Sequence, residues 1–310
     1  MTAVMERKTE IEPEVNIFDK AVLMRLELPL EMGLKRKANN VTIQTTANEG
    51  WIDSNKTILQ SPEFDKLKSE DGHVKSYIRK RCLASVSSMF AAGFYPLPIT
   101  LFESVDTSIE NYRPIRQGLI EDFLSTYDRR VEEARSALKD LFNPLDYPLV
   151  EELRSGMQLK VRYITISTPE GLKGISQEVF RREQAKTREM WQEAQSAMSF
   201  GLREQCKALV DHMVERLTSS PDGKPKVFRN SLVDNLQEFI GLFNDLNIAG
   251  DKDLEVLVEQ LSQLTKGVDP DVLRKKEDVR VSTAAGFLKI QEKLDTMIVE
   301  RPSRMFVVDE

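Results

Sequence analysis

The stretch IENYRPIRQGLIEDFLSTYDRRVEEARSALKDL, residues 109–141, decides the fold. Ile109, Tyr112, Ile115, Leu119, Phe123, Tyr127, Val131, Ala134, Leu138 and Leu141 recur at steps of three or four. Nine steps cover 32 residues, a mean near 3.6, which is the period of a helix and not of a strand. Pro114 opens this helix or kinks it near its start. Asn143-Pro144 ends it, and a short helix over about Tyr147–Ser155 follows.

A second long helix is predicted over 175–219, where 45 positions pass without a proline. At 1.5 Å per residue it reaches roughly 65 Å. Its first half has no large apolar residue between Phe180 and Met190, and Arg181, Arg182, Glu183, Lys186, Arg188 and Glu189 crowd there, the pattern of a solvated helix. Its second half carries Met190, Ala194, Met198, Leu202, Cys206, Leu209, Met213 and Leu217 as a stripe that needs a cover. The long helix before it is the expected partner, in antiparallel, coiled-coil-like packing.

Upstream, the pattern turns extended from Val22, and Leu26, Leu28, Leu30 and Met32 alternate with Glu27, Pro29 and Glu31, which reads as an edge strand because of Pro29. Residues 33–50 read as strand or loop. A short helix over Ser54–Lys68 is expected to break at Ser61-Pro62, and a firm helix runs from about Gly72 to Ala92. Phe94–Phe102, pinned by Pro96 and Pro98, reads as loop or extended chain. A second strand is predicted over Leu159–Thr168, and the two strands are expected to pair. After the turn Ser219-Ser220-Pro221-Asp222-Gly223 come three helices. Ser231 is expected to cap the first and Asp251 the second; the third, about Val279–Val299, buries Phe287, Leu288, Leu294 and Ile298.

The expected fold is therefore mainly α: an elongated antiparallel long-helix stalk, a small two-stranded β ribbon and a C-terminal helical bundle. The expected organisation is a loose segment over 1–17, a long-helix domain over 18–220, a bundle over 221–300 packing on it, and a tail over 301–310 that includes the apolar Met305–Val308.

A net charge of −6 argues against bulk nucleic-acid binding, although a local patch can override it. Two cysteines, Cys82 and Cys206, read as buried thiols of a reducing compartment, and MTAVMERKTEIEPEV holds no signal-peptide core, so a cytoplasmic location is expected. There is no phosphate-binding glycine loop, and His73 and His212 are the only histidines. No carboxylate pair stands out as a catalytic dyad. The expectation is a protein that is not an enzyme and has no cofactor or metal.

Two features remain. Three basic triplets, Lys35-Arg36-Lys37, Arg79-Lys80-Arg81 and Arg274-Lys275-Lys276, would hold phosphates if they converged, and otherwise are solvated surface. From Cys82 to Phe102 runs CLASVSSMFAAGFYPLPITLF, 21 residues without a charge. Its serines, Gly93, Pro96 and Pro98 break it as a membrane span. Phe90, Phe94, Tyr95 and Phe102 are packing residues in the preferred reading, a partner-facing patch in the second and a conditional membrane hairpin in the third.

The order AVLMRLELPLEMGLKRK, then FAAGFYPLPITLF, then FLSTYDRRVEEA, then FNPLDYPLVEELRSGMQLKVRYITIS resembles a bacterial and phage family catalogued only as a domain of unknown function. The similarity spans roughly 18–300, and its most specific pieces are Phe90–Pro98, Phe123–Tyr127 and Asp146-Tyr147-Pro148. The chain departs from the family pattern at LELPLEM, where a tryptophan-containing polar segment is common. The family's genes often neighbour AAA+ ATPases of the MoxR or cobaltochelatase-like type and von Willebrand A domain proteins. The resemblance implies a partner of an AAA+ ATPase-associated assembly in a bacterium, phage or mobile element. The expected function is a non-enzymatic scaffold or interaction protein, homo-oligomeric. Two alternatives stand beside it: a nucleic-acid-associated protein using the triplets, and a membrane-active protein exposing residues 82–102.

Overall fold

The structure is a computed structural model that describes residues 19–37, 55–83, 93–165, 170–218, 228–267 and 270–299. It is mainly α. The elements are β1 Ala21–Glu27, β2 Lys35–Lys37, β3 Asn55–Thr57, α1 Pro62–Arg81, β4 Tyr95–Pro98, α2 Ile99–Leu138, α3 Val150–Gly156, β5 Lys160–Ile164, α4 Gln177–Leu217, α5 Asn230–Leu246, α6 Lys252–Thr265, α7 Pro270–Lys275 and α8 Glu277–Val299.

The strands form two small sheets. One has the order β4-β1-β5, so the two expected strands are neighbours and a third joins them. β1 is central and not an edge: it ends at Glu27, before Pro29, so the missing N–H never meets the ladder. The prolines of YPLP sit instead in β4, an edge strand, where they are tolerated. The other sheet pairs β2 with β3 antiparallel, in the register Lys35↔Thr57, Arg36↔Lys56 and Lys37↔Asn55.

Ser61-Pro62 starts a helix and does not break one. Pro62 occupies the first turn, where no N–H is needed, and the Phe64 N–H donates to Ser61 Oγ at 3.2 Å. α1 then runs through Gly72 without interruption. The expected helix residues 84–92 lie outside the described residues, as do 1–17 and the tail 301–310. α2 begins at Ile99, ten residues before the periodic stretch, and carries Pro114 inside it.

The chain divides into two compact units. The smaller comprises Met24–Lys80 and Phe102–Tyr163; the larger comprises Met1–Leu23, Arg81–Leu101 and Ile164–Glu310. In the smaller unit Phe64 and Leu67 of α1, Leu119, Ile120, Phe123, Leu124 and Tyr127 of α2, and Leu153 and Met157 of α3 form one core with Met32, Ile58 and Leu59. The Phe123 ring is 5.0 Å from Phe64 and 5.5 Å from Tyr127, the spacing of favourable aromatic pairs.

In the larger unit α4 starts at Ser176, whose Oγ accepts from Val179 N at 3.3 Å. Its stripe Ala194, Met198, Leu202, Cys206 and Met213 is buried. α8 and α5 cover it, which corrects the expectation that α2 does so. An apolar stripe states that a cover is needed and leaves its identity open. Lys207 of α4 fixes the seam, 2.9 Å from Asp211 and 2.6 Å from Asp295 of α8. Asp251 caps α6 through Leu254 N at 3.1 Å. Ser231 does not cap α5: the cap position is Arg229, with no side-chain bond. The expected third C-terminal helix is α8, and a short helix not expected from the sequence, α7, precedes it. On α8, Phe287, Ile290 and Leu294 face inward, whereas Leu288 is exposed, because it lies one residue, about 100°, round from Phe287.

No described helix is long and apolar enough to cross a membrane.

Candidate functional site

The α2 stripe keeps its helical period beyond the point where its core ends. Tyr127 is the last buried residue; none of the 25 residues from Asp128 to Glu152 is buried, and burial resumes at Leu153. Within that interval lie Val131, Leu138, Leu141, Phe142, Pro144, Leu145, Tyr147, Pro148, Leu149 and Val150. Leu145 is 92% exposed and Leu149 70%, where full burial of such a side chain gives about 1.5–3 kcal/mol.

Local sequence chemistry sets the shape of this surface. Lys139, at positive φ, ends α2, and Phe142 N–H returns to the Lys139 carbonyl at 3.0 Å. Asn143 then caps a single 3-10 turn, its Oδ1 accepting from Leu145 N at 3.1 Å with Pro144 behind it. Glu152 accepts from Leu149 N at 3.0 Å and starts α3. The turn is held to the body by two hydroxyls: Tyr147 donates to the Ile58 carbonyl at 2.7 Å, and Tyr127 to the Pro148 carbonyl at 3.0 Å. Lys56 of β3 adds an ion pair to Asp146 at 2.8 Å.

Between α2 and this turn lies a groove of about 480 Å³, in the size range of ligand-binding clefts. Tyr127, Val131 and Arg135 form one wall; Phe142, Tyr147 and Leu149 form the other. Phe142 and Tyr147 stack at 4.9 Å, and the Arg135 guanidinium sits 4.6 Å over the Phe142 ring. Burial pushes the Tyr127 phenol up to about 12, with the Tyr147 and Asp128 oxygens adding to the effect. Both tyrosine hydroxyls are therefore neutral at physiological pH and already donate within the chain. The groove offers rings and aliphatic surface, the chemistry of docking.

A second cluster in the same unit has the look of chemistry and is structural. Arg116 and Asp71 are 1% and 2% exposed. Arg116 also donates to the Pro29 carbonyl at 2.8 Å and to the Met157 carbonyl, and Tyr112 donates to Asp71 at 2.8 Å. Every arm of the guanidinium is committed, so the network ties α1, α2 and the end of α3 together. The thiols are equally inert: burial pushes both Cys82 and Cys206 up to about 12.

The residues singled out in the sequence are distributed otherwise. Phe94 is buried, Tyr95 and Phe102 are half-buried, and the Phe102 ring stands 4.9 Å from Tyr163; Phe90 lies outside the described residues. Lys35, Arg36 and Lys37 are exposed along β2. Arg79 is exposed on the last turn of α1, Lys80 is half-buried, and Arg81 pairs with Glu238 at 3.2 Å. Arg274 is bonded to Asp271, to the Asn230 side chain and to the Phe228 carbonyl, while Lys275 and Lys276 are exposed. Nothing in the periodicity of the sequence marks the groove, although Asp146-Tyr147-Pro148 lies at it. Two prolines and two leucines within FNPLDYPL were the available signal.

No protein-family model, no curated protein and no solved structure matches the chain.

Proposed function

We propose that this chain is a non-enzymatic helical scaffold that docks another protein chain on the surface between the end of α2 and the start of α3. The observation that carries the reading is the interval 128–152, in which no residue is fully buried, with Leu149 70% exposed on the groove wall and Leu145 92% exposed beside it. Exposed apolar side chains beside a cleft mark interaction sites. The inert thiols and the fully committed Arg116–Asp71 network agree with work done by binding. The resemblance noted in the sequence directs the search for a partner to AAA+ ATPases of the MoxR or cobaltochelatase-like type and to von Willebrand A domain proteins, in the cytoplasm of a bacterium or its phage.

The test is affinity capture from the host with the wild-type chain and with Leu149→Glu as parallel baits, each checked for folding by circular dichroism. The expected result is a partner retained by the wild type and depleted at least tenfold by the variant. Identical capture profiles from two folded baits overturn the reading.

A further inference from the structure

We propose that the β2–β3 ribbon of the smaller unit is a contact surface for the phosphates of a nucleic-acid strand. This goes beyond the docking reading and concerns a different surface. The ladder pairs Lys35 with Thr57, Arg36 with Lys56 and Lys37 with Asn55. Four of these six residues are cations, none is acidic and none is apolar, in a chain whose net charge is −6. All of β2 is exposed. Each of the six side chains can donate a hydrogen bond, and these are the residue types that bind phosphate and sugar oxygens in nucleic-acid complexes.

The register supplies the second argument. Arg36 stands directly opposite Lys56, and like charges at opposed ladder positions destabilise a ribbon. Lys56 has its counter-charge within the chain: Asp146 at 2.8 Å, with the Leu141 carbonyl at 2.6 Å. The β2 side has no such provision. Among the described residues the side chains of Lys35 and Arg36 have no ion-pair or hydrogen-bond partner. Glu31, four residues before β2, lays its side chain against Gly156 of α3 instead. An anion from outside the chain removes the repulsion that remains.

Geometry narrows the anion. Side chains alternate along a strand, so Lys35 and Lys37 share one face, about 6.8 Å apart, and Arg36 takes the other. Cations repeating at that interval match the successive phosphates of a single nucleic-acid strand. A lipid surface would meet one face of the ribbon alone, and the ladder holds no apolar side chain to enter it.

The experiment is fluorescence anisotropy of a labelled single-stranded oligonucleotide of about 20 nucleotides, titrated with the full chain at about 50 and 200 mM salt. The wild type is expected to bind, with log K falling against log salt at a slope of about −2, from three contacts at about −0.7 each. Lys35→Gln with Arg36→Gln is expected to weaken binding at least tenfold and to leave a slope of about −0.7, one remaining contact. Arg36→Glu puts an anion opposite Lys56. It is expected to lower affinity while the melting temperature holds or rises, which separates loss of binding from loss of fold. Lys275→Gln with Lys276→Gln, in the larger unit, is the control and leaves affinity unchanged. No binding at about 50 mM salt with up to about 100 μM chain overturns the inference. So does a β2 double variant that binds like the wild type, or an equal loss in the control. Tighter binding to phosphatidylcholine–phosphatidylserine vesicles than to the oligonucleotide also overturns it and assigns the ribbon to a membrane.

Discussion

Arg116 and Asp71 meet through two parallel bonds, Nε to Oδ1 at 2.8 Å and Nη2 to Oδ2 at 3.1 Å, with almost no solvent access to either. A buried pair of this kind gives little net stability compared with apolar packing, but removing one member strands the other. Asp71→Asn or Arg116→Met is expected to destabilise the smaller unit by about 3–5 kcal/mol. The double change Arg116→Met with Asp71→Asn should cost clearly less than the sum of the singles. Urea unfolding followed by aromatic fluorescence reads the difference, and simple additivity would refute the coupling.

Asp251 has two tasks in the larger unit. It caps α6, and it receives Arg203 through bonds of 2.6 and 3.0 Å. Asp251→Ala loses both and leaves Arg203 with the Met297 carbonyl at 3.1 Å. The expected cost is about 2–4 kcal/mol, the sum of a cap and a charge-assisted bond. Asp251→Asn keeps the capping oxygen, so it should recover part of that loss in the same thermal-melt measurement.

The two thiols predict an alkaline limit. In the unfolded chain a cysteine ionises near 8.5; in the fold burial holds Cys82 and Cys206 up to about 12. Below about 8.5 both states carry the proton and stability does not depend on these groups. Above it the unfolded state alone loses the proton, so stability falls by about 1.4 kcal/mol per pH unit for each thiol until the folded value is reached. Melting temperatures between about pH 8 and 10.5 should decline, and Cys82→Ala with Cys206→Ala should flatten that slope. An unchanged slope in the double variant would remove the thiols as the cause.

Gly286 lets α8 approach α6. A Cβ built there would lie 2.7 Å from Leu264 Cδ1 and 3.0 Å from Cδ2. Gly286→Leu is expected to cost about 1–3 kcal/mol by overpacking. The clash at Gly156 is closer: its Cβ would lie 2.3 Å from Glu31 Cγ and 2.7 Å from Cδ, but Glu31 is exposed and can be displaced toward solvent. Gly156→Ala should therefore cost less than Gly286→Leu. Chemical denaturation of both variants tests the contrast.

Much of the helical frame was legible because helices are local. The proline-free interval 175–219 places α4 within two residues of its observed ends. Ser61-Pro62 was harder, since the same pair breaks a helix when internal and opens one when it stands at the first turn. The first strand was read from Val22, close to its true start, but carried too far because the alternation from Leu26 to Met32 imitates a strand, whereas the backbone leaves the ladder at Glu27 and sends the Pro29 carbonyl to Arg116. Tertiary choices were the least legible. Leu138 and Leu141 continue the three- and four-residue steps that bury Phe123 and Tyr127, so periodicity could not show where α2 leaves its core. The groove depends on where FNPLDYPL folds back, and that is settled by the Tyr147 and Tyr127 hydroxyls reaching carbonyls 89 and 21 positions away.

The interleaving of the two units has a consequence for synthesis. All of the smaller unit, Met24–Lys80 and Phe102–Tyr163, has been translated once Tyr163 is in place, whereas the larger waits for α4 through α8. At about 5–20 residues per second the ribosome needs roughly 6–25 s to make α4 through α8, from Gln177 to Val299. During that time the smaller unit can form its core while still tethered, before the larger unit has its helices.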